Sequence, residues 1–362
     1  NAAYVNNYKN SVILELGGDG TGAKNDTDSD AQAEGGIFHG HGNMVYGLYL
    51  GAESAQAYEA RQVLNVSNRA VHQDNQIDLF VGGDAGIKWG ANLTYQKNKN
   101  DSGDIENNSL SARLGVMQSN WEAFANISLA NKFEGDLGGG AADEEFDGKI
   151  GFELGGSVNV GPGKVFAFWR HTKWEQETDV AVGAGTGAAY TGQADVGFDK
   201  YIVGYGTEEK ISDKAILYWK ASYVMNRRAL ETKDDGDADL NDYAVPVVLG
   251  LEHNSTEWLT LRGSVTHNLI GQADNDYDAS LITAGVNQAF TNAASGKYPE
   301  GKRTFPNNIN VNTGATVHFG DFSIDGLVGT TNLAGNAVNS DSEDGVLSLD
   351  RLMTRASMNY KW

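Results

Sequence analysis

The side chains in this sequence that could do chemistry are charges placed at alternate positions, with no constellation that would catalyse a reaction. Seven histidines are scattered along 362 residues, and the one close pair, His39-Gly-His41, falls at a tight turn. No HExxH occurs, and no Ser, His and acid grouping stands out. The glycine-rich pieces Gly138 to Gly140 and Gly183 to Gly187 sit in loops, whereas a phosphate site needs them between a strand and a helix. The absence of cysteine excludes disulfides, Cys-ligated zinc and thiol catalysis. No enzyme is expected. Asp235, Asp237, Asp239 and Asn241 have the every-second-residue spacing of a calcium loop, yet lack the Gly and closing Glu of an EF-hand. They read first as a solvated acidic loop and second as a weak metal site.

The alternating charges are richer. Lys88, Arg113, Lys132, Lys149, Lys220, Arg228, Arg262 and Arg355 share the polar phase of their segments, as does Arg170, whose segment loses its phase around His171. Glu15, Asp78, Glu122, Glu153, Glu252 and Asp325 share the same phase. Facing rows of opposite charge in a narrow wet passage would set up a transverse field that orders polar solutes. The competing reading makes them local ion pairs that stiffen a wall.

Rows of this kind need strands to hold them, because side chains on a strand point alternately to opposite faces. Leu259, Leu261, Val265 and Leu269 alternate with Thr260, Arg262, Ser264, Thr266 and Asn268, and the same separation recurs from Ile87 to Gln96, Trp121 to Leu129 and Leu217 to Arg228. These runs reach nine residues or more, against a soluble average of about five or six and the roughly 9 to 11 that a tilted strand needs to cross a bilayer. Connections fall into two groups. Tight turns at 40–43, 83–86, 118–120, 161–163, 209–213, 254–257 and 319–321 alternate with long polar loops at 18–33, 53–76, 99–107, 133–146, 179–197, 231–241, 271–306 and 332–349. Short turns on one rim and long loops on the other predict an all-β fold, a transmembrane antiparallel up-and-down barrel forming one domain over 1–362. Seven tight turns make seven hairpins, and the first and last strands bring the count to 16; if residues 1–43 were a plug, the count would be 14.

Charge and hydropathy fit that reading. Mean hydropathy is −0.41 and net charge −21, with acids concentrated in the loops, so a nucleic-acid partner is not expected. Acidic loops at one mouth would enrich cations and could be bridged by Ca²⁺ or Mg²⁺. The longest apolar stretch, near Val245 to Leu251, is broken by Pro246 and Gly250 and is too short for a membrane helix. Trp89, Trp121, Trp219, Tyr95, Tyr360 and Trp362 fall near strand ends, where interface girdles belong. The sequence opens at Asn1 without Met or a hydrophobic leader, so a cleaved export signal is expected.

Leu352, Thr354, Ala356, Met358, Tyr360 and Trp362 share one phase, and the strand ends on an aromatic. This resembles the terminal assembly signal of Gram-negative outer-membrane barrels, in which Phe is usual and Trp362 a mild departure. Strand number, hairpin polarity, acidic bias and this signal together resemble general-diffusion porins over essentially the whole chain, in architecture and without a shared motif. The resemblance implies a water-filled outer-membrane channel for passive diffusion of small hydrophilic solutes and ions, contact with outer-membrane lipid and lipopolysaccharide, and a homotrimer. In that family a constriction loop lies between the fifth and sixth strands; the corresponding Lys99 to Asn107 is too short. The candidates for narrowing the pore are therefore 271–306, with Lys297, Glu300, Lys302 and Arg303, and 53–76, with Arg61 and Arg69. The alternatives are a substrate-specific channel for fatty acids or aromatics, with a plug and an apolar passage, and a soluble secreted β-rich adhesin or coat protein.

Overall fold

The computed structural model describes residues 1–17, 32–51, 76–100, 105–136, 143–178, 192–232, 236–277, 301–304, 309–329 and 355–362. After a 3-10 helix over Ala2–Tyr8 the strand segments are β1 (Ser11–Gly17), β2 (Gln32–His41), β3 (Met44–Leu50), β4 (Ile77–Asp84), β5 (Lys88–Asn100) and β6 (Ile105–Met117). There follow β7 (Trp121–Asp136), β8 (Asp143–Gly148), β9 (Gly151–Val160), β10 (Gly163–Thr178), β11 (Gly192–Ser212) and β12 (Ala215–Thr232). The last are β13 (Gly236–Asn254), β14 (Leu259–Tyr277), β15 (Gly301–Thr304), β16 (Ile309–Phe319), β17 (Phe322–Gly329) and β18 (Arg355–Lys361).

These 18 segments form one antiparallel sheet. β8 and β9 both lie between β7 and β10, interrupted at Lys149 and Ile150, so they are one stave. β15 and β16 both pair with β14 and form another. The sheet therefore has 16 staves, and it closes where β1 pairs with β18 from Ser11↔Lys361 to Gly17↔Arg355. Closure removes the exposed strand edge that a membrane would not tolerate. β1 and β2 are staves of the wall, so the 14-strand alternative does not hold.

The tight turns join β2–β3, β4–β5, β6–β7, β9–β10, β11–β12, β13–β14 and β16–β17, all on one rim. Gly86 and Gly161 take positive φ (87° and 59°), the left-handed region that these turns require. On the other rim the staves run further than alternation alone suggests. The 231–241 loop loses its flanks to β12, which reaches Thr232, and β13, which starts at Gly236, and the 271–306 loop loses its flanks to β14 and β15. Lys302 and Arg303 thus lie on the wall, opposite Asp274 and Ala273. Pro246, which has no N–H to give to a ladder, sits where the β13–β14 register slips, at Ala244/Pro246.

The outer phase is apolar and exposed: Leu79, Leu114, Val203 and Leu249 are each more than half exposed. In water such a surface would be strongly unfavourable; against hydrocarbon it is the ordinary state. Toward the loop rim the same phase changes character. Above Trp169, Tyr201 and Tyr223 it carries the pairs Lys173–Asp195 (2.9 Å), Arg227–Asp239 (3.1 Å) and Lys302–Asp274 (3.6 Å). Lys132 and Lys149 belong to this outer belt, bonded to Glu145 (3.2 Å) and to Asp147 and Glu175 (3.0 and 2.8 Å). Their expected inward placement fails because a bulge in β7 inserts Leu129 between the ladder positions Ser128 and Ala130, and the β8/β9 interruption resets the phase again. The expected phase loss at His171 does not occur either. His171 points outward to Asp199 (2.9 Å), which also accepts from Trp169 Nε1, while Arg170 points inward.

Candidate pore lining and its seated segment

The inner phase can be followed around the wall by register. Gly82 faces Gly90, Gly90 faces Gly115, and Gly115 faces Phe124. Next come Gly155, Phe168 and Ile202, ending at Val224 of β12. One ladder position toward the loops lies a charged row: Arg113, Asn126, Glu153, Arg170, Lys200, Asn226 and Asp242. A ring of 16 staves is too wide for side chains to fill, so this lining encloses solvent.

Most charged positions expected to line a pore lie on this phase, and many are neutralised by a neighbour one stave away. Glu153 takes the Arg170 guanidinium at 2.6 Å, and both groups are more than four-fifths buried. Arg228 pairs with Asp242. Arg262 bridges Glu252 (2.7 Å) and Asp325 (2.9 Å) and also donates to Thr316, at one edge of a recess of about 300 Å³ lined by Tyr218, Asn312 and Ser357. Lys220 stands over the Phe166 ring at 5.9 Å, and Lys164 is 3.9 Å from Glu122. Arg355 lies opposite Gly17 at the closing seam. Arg61, Arg69, Lys297, Glu300 and Asp235 lie outside the described residues. Asp237 and Asp239 lie on strand β13, with Asp239 held by Arg227; among the described residues no group of three or more His, Asp or Glu could hold a metal ion.

A carboxylate patch sits on the opposite arc. Glu15 and Glu34 face each other across β1 and β2, and both accept from the Tyr49 hydroxyl, at 2.7 and 3.3 Å. Asp78 on β4 is buried and accepts from Thr94 Oγ1 (2.5 Å), Asn92 Nδ2 (3.0 Å) and Gln76 Nε2 (2.8 Å), which satisfies a charge otherwise expensive to bury.

One feature of the lumen gives little warning in the sequence: the Ala2–Tyr8 helix lies against the inner wall of β3 to β6, close to the tight-turn rim. A Cβ on Gly90 would collide with the Ala2 carbonyl, one on Gly115 with the Asn1 side chain, and one on Gly82 with Val5. Three inward glycines in register thus leave a smooth bed in which Ala2, Ala3 and Val5 are buried. Val5 packs on Phe38 and Val45. Polar anchors complete the seat: Asn1 Nδ2 (3.2 Å) and the Tyr4 hydroxyl (2.5 Å) both donate to Glu122 Oε2, Asn6 Nδ2 donates to the Trp89 carbonyl (2.9 Å), and Lys9 Nζ to the Gly42 carbonyl (2.6 Å). Burial and the Glu122 carboxylate push the Tyr4 phenol up to about 12. The available signals were the small pair Ala2-Ala3 and glycines interrupting the polar phase, neither specific alone.

No family model matches the sequence, and no curated protein does. Among solved structures, the anion-selective porin from Comamonas acidovorans has 13% identity and a TM-score of 0.39, covering 86% of this chain and 97% of its own. OmpT of Vibrio cholerae, expressed in the outer membrane, has 13% identity and a TM-score of 0.36, covering 97% of this chain and 95% of its own. CymD, a monoaromatic hydrocarbon channel, has 9% identity and a TM-score of 0.38, covering 100% and 91%. With TM-scores below 0.5 these likenesses carry no weight of their own, and the fold stands on the hydrogen-bonded closure.

Proposed function

We propose that the chain is a channel of the Gram-negative outer membrane that lets small hydrophilic solutes and ions diffuse passively through its lumen. The observation that carries this reading is a closed ring of 16 staves with exposed aliphatic residues outside and charged residues inside. Charge distribution supports it. Glu15, Glu34 and Asp78 line β1, β2 and β4, while Lys164, Arg170, Lys200, Lys220 and Arg228 line β10 to β12, half a ring away, with Glu122, Glu153 and Asp242 beside three of them. A passage between such arcs favours hydrated, dipolar solutes over apolar ones. Contact with lipopolysaccharide, a homotrimer, and divalent ions at the acidic loop rim are proposals that accompany this reading.

One observation favours a more selective passage: Phe124, Phe166, Phe168 and Ile202 form an apolar strip on the inner wall, with the Phe124 and Phe168 rings 6.4 Å apart. Planar-bilayer recording separates the two. Ohmic steps that scale with salt support open diffusion. A closed or quickly blocked channel that binds one aromatic or acyl solute supports selectivity, and the absence of any conductance or binding contradicts both.

A further inference from the structure

The wall glycines and the helix they seat deepen the channel reading. A solvent-filled lumen places no demand for glycine on the inner phase of β4, β5 and β6, since any polar side chain would be hydrated there. Three inward glycines facing one another in register are explained by the chain laid over them. A 3-10 run of seven residues is longer than such helices usually persist alone, so this one is held by its bed and anchors. It leaves Tyr4 and Tyr8 each about two-fifths exposed, although the Tyr4 hydroxyl is held by Glu122. Asn7 accepts from Lys88 Nζ at 3.4 Å, and Tyr8 stacks toward Phe38 with centroids 5.7 Å apart.

We propose that residues 2–8, fixed to the Gly82, Gly90 and Gly115 bed, form a resident constriction at the tight-turn end of the passage, with Tyr4 and Tyr8 setting its cross-section. This rests on the channel reading above. The segment narrows one side of the lumen by the thickness of a helix and presents ring edges and the Tyr8 hydroxyl to passing solutes, the Tyr4 hydroxyl being held by Glu122. Polar solutes slimmer than the gap between these rings and the cationic arc of β10 to β12 pass; bulkier ones are retarded. The carboxylate that fixes Tyr4, Glu122, is engaged by Asn1, Tyr4 and Ser157, so it acts as an anchor and contributes little free charge at this level.

Two measurements on the reconstituted protein test the proposal separately. Because the sequence has no cysteine, a Val5→Cys/Val45→Cys pair, two side chains of one packed cluster that leaves the glycine bed unaltered, reports seating without background. Oxidation in vesicles is expected to cross-link the pair and leave the conductance step unchanged. Failure to cross-link in a folded, membrane-inserted protein overturns the seat. Tyr4→Ala/Tyr8→Ala is expected to shift single-channel steps upward and raise the largest neutral sugar admitted in liposome swelling. Gly90→Val is expected to shift both further by lifting the segment, and to abolish the Val5/Val45 cross-link; if Gly90→Val does not assemble, the tyrosine variant carries the test. An intact cross-link with unchanged steps and unchanged sugar cut-off in the tyrosine variant overturns the constriction and leaves the channel standing. An intact cross-link with no conductance in the unaltered protein overturns the channel itself, and the constriction with it.

Discussion

The walls built by β4 to β6 and by β10 to β12 belong to one sheet and serve opposite ends. β4 to β6 are 8, 13 and 13 residues long; their inner phase is glycine near the turns and hydrogen-bonded Asp78, Asn92 and Thr94 above, a surface shaped to be covered. β10 to β12 are 16, 21 and 18 residues long; their inner phase is cationic and aromatic, and their outer phase passes from aliphatic residues to ion pairs before the strands end. The first arc holds a segment in place; in the channel we propose, the second bears on solute. The outward change on β10 to β12 also marks where the hydrocarbon stops, since exposed pairs such as Lys173–Asp195 gain from water what they would lose in lipid.

The largest effect should come from carrying the charge of the upper outer belt down into the apolar band. Val203→Arg, on the outer phase between Tyr201 and Tyr205, is expected to cost about 2–4 kcal/mol and to collapse the yield of folded barrel, measured by urea titration in vesicles. Next, removing one inner acid beside the cationic arc should tilt selectivity. Glu153→Gln takes from Arg170 its carboxylate partner; a stability loss of about 1–3 kcal/mol and a reversal potential displaced toward anions are expected. An unmoved reversal potential would show that this arc does not face the conducting path.

Smaller still is Lys173→Ala in the outer belt, where both partners are more than a third exposed. A loss within about 1 kcal/mol is expected, and it should shrink as salt is raised. Last comes Tyr4. Its phenol titrates above the ordinary value of 10.0, so its contribution to the seat is complete below pH 10 and fades as pH rises through about 12. Difference absorbance against Tyr4→Phe should place the ionisation there; a midpoint at 10 would mean that the Glu122 bond is not made.

Much of this was legible in the residues. Period-two alternation over Leu259–Leu269 or Leu217–Arg228 fixes which side chains share a face, and the tight turns fix the count of 16 staves. The strands outrun the alternation because the pattern inverts beyond the bilayer: Val196, Phe198, Leu230 and Leu240 are buried on the inner phase while Asp195, Arg227 and Asp239 stand on the outer one, and the ladder continues. Lys132 and Lys149 point outward against their alternation for a related reason: one extra residue in β7 and the break at Lys149 and Ile150 reverse the phase without any change of composition. The Arg170–Glu153 and Arg262–Glu252 pairs are set by register between staves, which a single strand's pattern does not contain. The seated segment was missed because its evidence is an absence of side chains at three positions far apart in sequence.

The central claim, that the aliphatic phase meets lipid while its neighbours meet solvent, is tested most directly at two consecutive residues of β11. Ile202→Cys and Val203→Cys place single thiols on the inner and outer phases of the same strand. In reconstituted vesicles Ile202→Cys should react with a charged, water-soluble maleimide, while Val203→Cys should resist it, and a fluorophore placed there should be quenched by brominated acyl chains. Equal labelling of the two thiols, or lipid quenching at 202, would contradict the account.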